Sequence, residues 1–187
     1  MGHSTRPTLI LGNRMRHNRY AFWLILLATL PRVMADPVQS VPTLEVDRYL
    51  GTWYEIGHLP MFFQRLCASD TTALYSKNTD GTIAVTNTCR HEDRQLDTAR
   101  GTATVIPNSG NARLKVQFFW PFSGDYWVIG LAPDYHWALV GSPNNKYLWL
   151  LSRSPTLAQT DVDTALQIAR RQGFDLEKFI YTPHSER

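Results

Sequence analysis

The stretch "TARGTATVIPNSGNARLKVQFF" (residues 98–119) alternates by twos on either side of a turn. Ala99, Gly101, Ala103 and Val105 stand against Thr98, Arg100, Thr102 and Thr104; then Leu114, Val116 and Phe118 stand against Arg113, Lys115 and Gln117. Successive side chains of a strand point to opposite faces, so this period predicts two half-buried strands. Between them "PNSGN" (107–111) holds residues that turns favour, and so short a link makes the strands antiparallel neighbours.

Outward from this pair the period of two persists in both directions. Turn signals at "NTDG" (78–81), "HEDRQ" (91–95), "PFSGD" (121–125), "APD" (132–134) and "SPNNK" (142–146) separate eight predicted strands. They run over 53–60, 70–77, 83–89, 98–106, 112–120, 125–131, 135–141 and 146–153. The predicted fold class is all-β, an eight-stranded antiparallel up-and-down barrel. Closure removes both sheet edges and leaves an interior for side chains or one small ligand.

After residue 155 the period changes. In "TDVDTALQIARRQGF" (160–174), Val162, Ala165, Leu166, Ile168 and Ala169 recur at helical spacing, Arg170 and Arg171 come late, and Gly173 is the stop. This predicts one C-terminal α-helix packed outside the barrel, with "KFIYT" (178–182) as a short pairing strand. Residues 36–45, with two prolines, read as an extended lead-in.

Residues 1–35 read as a secretory signal peptide. Arg14, Arg16 and Arg19 precede the apolar run "YAFWLILLATL" (20–30), and "VMA" (33–35) supplies small residues before Asp36. Met15 begins a signal of more usual length, so residues 1–14 read as an over-extended start. The segment holds five arginines and no acid, which leaves 14 basic and 16 acidic side chains in residues 36–187. Without a basic block there, nucleic acid is not an expected partner. Residues 36–187 make one domain, large enough to bury a core.

Cys67 and Cys89 are the two cysteines of the chain. An exported, oxidising setting favours a disulfide between them over two separate buried thiols. If Tyr75 and Val85 share the inner face, Thr79, Asp80 and Gly81 form the loop between the second and third strands, and Cys89 lies opposite Thr71. A straight strand then leaves Cys67 about 13 Å away, so the chain at 67–70 must bend back.

Three further stretches give the barrel a family likeness: "GTWYEI" (51–56), "APDYHWALV" (132–140), and Arg153 in "LWLLSRSP" (148–155). In this order and at these separations they resemble the three conserved regions of the lipocalin family. The wording of "RYLGTWYEI", "FFWPFSG" and "ARRQGFDLEKFI" is most similar to the bacterial outer-membrane lipocalin and apolipoprotein-D-like group. The resemblance implies structural roles: Trp53 as the inward floor of the barrel, Gly51 letting the lead-in cross beneath it, and Arg153 stacking on Trp53. It also implies a small apolar ligand, most simply a fatty acid or lysophospholipid of a bacterial cell envelope. Many bacterial relatives bear a lipidated cysteine directly after the signal. Here Asp36 stands in that place, so the expectation is an exported protein, periplasmic or secreted, that is not lipid-anchored.

With Trp53 and Arg153 inward, alternation assigns the ligand-facing positions. They are Ala73, Tyr75, Ile83, Val85, Ala103, Val105, Leu114, Val116, Phe118, Tyr126, Val128, Ala138, Val140, Tyr147 and Trp149, with Leu151 beyond them. The list suits an acyl chain with tyrosines near its polar head. It also suits a small barrel whose side chains fill one another's space.

An enzyme is not expected, and neither is a cofactor or metal. His91, Glu92 and Asp93 share one turn, point apart and read as a solvated loop. His58 and His136 stand alone in the sequence, no serine has a nucleophile-elbow context, and Cys67 is a nucleophile only if Cys89 does not bond it. Phe62, Phe63, Trp120 and Phe122 lie near loops. They form a partner or membrane-touching patch or a ligand mouth, on a monomer or a homodimer.

Overall fold

A computed structural model describes residues 1–3 and 37–185, so residues 4–36, with the apolar run of the signal and the predicted start at Asp36, lie outside the described residues. Residues 37–185 belong to one compact unit. A single helical turn, α1 (Val46–Tyr49), leads into eight strands: β1 (Gly51–His58), β2 (Ser69–Lys77), β3 (Ile83–Arg90), β4 (Leu96–Val105), β5 (Arg113–Phe119), β6 (Phe122–Leu131), β7 (Trp137–Gly141) and β8 (Leu148–Ser152). Helix α2 (Gln159–Arg171) and the two-residue strand β9 (Ile180–Tyr181) follow.

Each strand pairs antiparallel with the next, and β1 pairs with both β2 and β8, so the sheet closes on itself. The predicted barrel is therefore present, with strand ends within about three residues of the expected ones. Residues 37–45 contain neither helix nor strand, in keeping with an extended lead-in. Residues 46–49 coil into α1, which brings Tyr49 into the core with 4% of its surface exposed.

Alternation divides the apolar residues into two cores. One fills the inside of the barrel around Trp53; the other lies between the barrel wall and α2, where Val162, Ala165, Leu166 and Ala169 meet Ile129, Leu139 and Leu150. The helix stops as its sequence directs, with the Gly173 and Phe174 amides donating back to the Arg170 and Ala169 carbonyls.

The β2–β3 hairpin has the expected register, Tyr75 opposite Val85, and Gly81 takes a positive φ of +85° in the expected loop. A bulge between Ser69 and Thr72, with Asp70 at φ +53°, turns the start of β2. That bend brings Cys67 to Cys89 in a disulfide with a Cα–Cα separation of 5.5 Å, over what a straight strand would leave as a gap.

The wall has one irregular seam. β1 bonds β2 only from Gly51 to Tyr54; beyond that the two part, and β9 takes the free edge of β1 at Gly57 and His58. Residues 182–185 continue along the gap. The Thr182 amide donates to the Ile56 carbonyl, the Asp70 amide to the Pro183 carbonyl, and the Ser185 amide and hydroxyl to the Asp70 carboxylate, both at 2.8 Å.

Candidate binding site

The floor is built from the start of β1. Trp53 is fully buried, its indole N–H donates to the Tyr49 carbonyl at 2.8 Å, and the Arg153 guanidinium lies 3.8 Å above its ring centre. That stacking is worth about 0.5–2 kcal/mol, depending on how dry the pair is. Arg153 also donates to the carbonyls of Arg48, Leu50 and Thr52, tying the lead-in beneath the barrel. Gly51 sits at φ +92° in the midst of this, and a side chain there would meet an Arg153 nitrogen at 3.5 Å.

Register carries the inner face around the wall. Ala73 lies opposite Trp53, Tyr75 opposite Val85, Ala103 between Ile83 and Val116, and Leu114 between Val105 and Tyr126. Val140 stands between Val128 and Trp149, and Leu151 lies between Ala138 and Glu55. All of the predicted inner residues except Phe118 and Tyr147 thus join the core around Trp53, with Val105, Val116, Tyr126 and Trp149 only partly buried.

The two exceptions stand at the open end. Phe118 has the right parity and touches the space beside Gly101, but it is next to last in β5 and 38% exposed. Tyr147 precedes β8 and lies between Phe63 and Trp149, ring centres 5.5 and 6.1 Å away.

At the centre three tyrosines share their hydroxyls. Tyr126 Oη is 2.7 Å from Tyr49 Oη and 2.9 Å from Tyr75 Oη. Burial raises all three phenols, Tyr75 to about 12 and the other two well above their ordinary value. A phenol held neutral by the fold stabilises the protein fully below the unfolded value near about pH 10, and that contribution drains away as pH rises further. Alkaline titration is therefore expected to release these phenolates together with unfolding. Following phenolate absorbance beside circular dichroism checks this; three phenols ionising in a still-folded protein would contradict it.

Two inward polar groups escaped the sequence reading. Asn87 lies opposite Ala73, and its Oδ1 is buried without a hydrogen-bond partner among the described residues. Glu55, 3% exposed, accepts from Gln64 Nε2 at 2.8 and 2.6 Å and from Thr182 Oγ1 at 2.5 Å, and lies 2.8 Å from His58 Nδ1. The Trp149 indole in turn donates to Gln64 Oε1 at 3.3 Å, linking this node to the apolar interior. His136, alone in the sequence, lies beside Asp134 and Asp161, and the hydrogen bond to Asp134 raises its pKa most. It ties the closed-end turn to α2.

The open rim carries several exposed apolar side chains beside the charged β3–β4 turn. Phe62, Phe63 and Leu66 after β1, Leu96 at the start of β4, and Phe119, Trp120 and Phe122 at the β5–β6 turn are all exposed, Trp120 by 85%. A groove of about 300 Å³ runs beside this turn, lined by Arg100, Thr102, Gln117 and Trp120.

Residues 44–184 match the family model described as a lipocalin-like domain. The chain is 41% identical over 145 residues to the outer membrane lipoprotein Blc of Escherichia coli, covering 77% of this chain and 81% of that one. It is 34% identical over 155 residues to apolipoprotein D of Bos taurus, covering 78% and 79%. Among solved structures, insecticyanin of the tobacco hornworm Manduca sexta shares the fold with a TM-score of 0.66 at 20% identity, covering 82% of this chain and 87% of its own.

Proposed function

The chain belongs to the lipocalin-like family, and on that premise we propose that its barrel carries a small hydrophobic ligand, most simply a fatty acid or a lysophospholipid. The observation that carries this reading is the inner face itself. It is largely apolar from the Trp53 floor to Val116 and Trp149, with the hydroxyls of Tyr49, Tyr75 and Tyr126 at its centre and further polar groups at Asn87 and Glu55. An acyl chain lies along the apolar stretch and a polar head near Asn87 and Glu55, with Phe118 and Tyr147 at the mouth. A binding protein suits the cysteines better than an enzyme does, because Cys67 is spent in a disulfide.

The protein acts after export, in the periplasm or outside the cell. The exposed aromatic rim touches a membrane surface while ligand is exchanged.

Displacement of a fluorescent fatty acid tests the reading. Val116→Arg places a charge in the apolar interior against its desolvation cost and is expected to abolish binding, while changes at outward-facing Thr102 leave it intact. A folded Val116→Arg protein that binds like the parent would overturn the carrier reading. Trp120→Ser is expected to slow transfer from vesicles without altering displacement in solution.

A further inference from the structure

We propose that Cys67, Cys89, His91 and Asp97 form a zinc site at the rim once the disulfide is reduced. Cys89 lies opposite Asp97 in the β3–β4 ladder, and His91 follows β3 on the same alternation. One donor atom each from Cys89, His91 and Asp97 lie within 4.8 Å of one another, and the Cys67 sulfur is bonded to that of Cys89. Two sulfurs, a nitrogen and an oxygen are a tetrahedral zinc set, with bonds of about 2.3 Å to sulfur and about 2.0–2.2 Å to the others. Such bonds space the ligand atoms roughly 3.3–3.8 Å apart.

The histidine supplies an independent observation. His91 Nε2 is buried and has no hydrogen-bond partner among the described residues, although Asp97 Oδ2 is 3.5 Å away. His91 Nε2 and Asp97 Oδ2 face each other as an ion pair without a hydrogen bond, at close to the separation of two ligands on one zinc.

The oxidised protein lacks this site, because disulfide sulfurs carry no charge and thiolates are the ligands zinc needs. A dithiol opens it: one thiolate attacks Cys67 Sγ, Cys89 leaves as a thiolate, and the second dithiol sulfur releases Cys67. The dithiol becomes a disulfide, and its two electrons reside on the freed pair. Zinc then binds both thiolates, displacing whatever protons they took up. The segment after β1 stays stapled to β3 in either redox state.

Cobalt(II) titrated into the full chain, reduced anaerobically with a phosphine, tests this. One equivalent is expected to give a thiolate-to-metal charge-transfer band that zinc erases, and the oxidised chain is expected to give none. His91→Ala and Asp97→Asn should each weaken binding at least about tenfold. If the reduced chain unfolds, zinc is expected to restore its near-ultraviolet circular dichroism. Absence of the band, failure of zinc to restore the fold, or a double variant that binds like the parent would overturn the proposal.

Discussion

Trp53→Ala is expected to cost about 3–5 kcal/mol, enough to leave a protein of ordinary stability largely unfolded. The indole is fully buried, and its loss removes several contacts at once. The stacked Arg153 loses its aromatic face, the Tyr49 ring loses a neighbour 4.9 Å away, and the Tyr49 carbonyl loses a donor. Trp53→Phe keeps much of the volume and should cost markedly less. Urea denaturation followed by circular dichroism measures both. An alanine variant within about 1 kcal/mol of the parent would mean that the floor does not depend on this residue, since large cavities at buried aromatics are seldom so cheap.

Glu55→Ala comes second in expected effect, at roughly 3 kcal/mol or more, because the cavity it leaves is lined by groups that need an acceptor. The Gln64 amide and the Thr182 hydroxyl point at this carboxylate, and the His58 ring lies against it. Each buried donor deprived of its partner costs about 1–3 kcal/mol. Glu55→Gln preserves the shape and one acceptor oxygen, so it should recover part of the loss. Thermal unfolding of the two variants side by side tells them apart; equal stability of alanine and glutamine would show that the node's hydrogen bonds carry no weight. The same node spans three separate segments of chain, so the alanine variant should also loosen Gln64 and the tail.

How much of this could be read from the residues alone depends on what alternation measures. It gives the side of the sheet a residue faces, and the period held well enough to place Val85, Ala103, Leu114 and Val140 inside together. It does not give height along the barrel, which is why Phe118 has the expected parity yet stands at the mouth. Bulges interrupt it as well: in β6 Ile129 keeps the outward parity next to inward Val128, but the shift between Val128 and Gly130 turns Leu131 toward the interior. Counting apolar residues passes over Glu55 and Asn87, whose inward direction only the register reveals. The α1 turn carried no long periodic run, so Tyr49 went unnoticed in a segment with two prolines nearby. In sequence His91 stands with Glu92 and Asp93, whereas the acid beside it in the fold is Asp97 on the facing strand.

The seam beside β1 gives the barrel uneven mechanical strength. Elsewhere each stave of the wall is gripped along several residue pairs by its neighbours, but here the closing piece has two strand residues, Ile180 and Tyr181, both well exposed. Local opening takes the path that breaks the fewest contacts. Amide hydrogen exchange is therefore expected to be fastest at this joint, where β9 and the hydrogen bonds of residues 182–185 stand in for a continuous β1–β2 ladder. The floor at Trp53 lies on the stretch of β1 that still pairs with β2, so loosening the tail and weakening the floor should be separable by mutation.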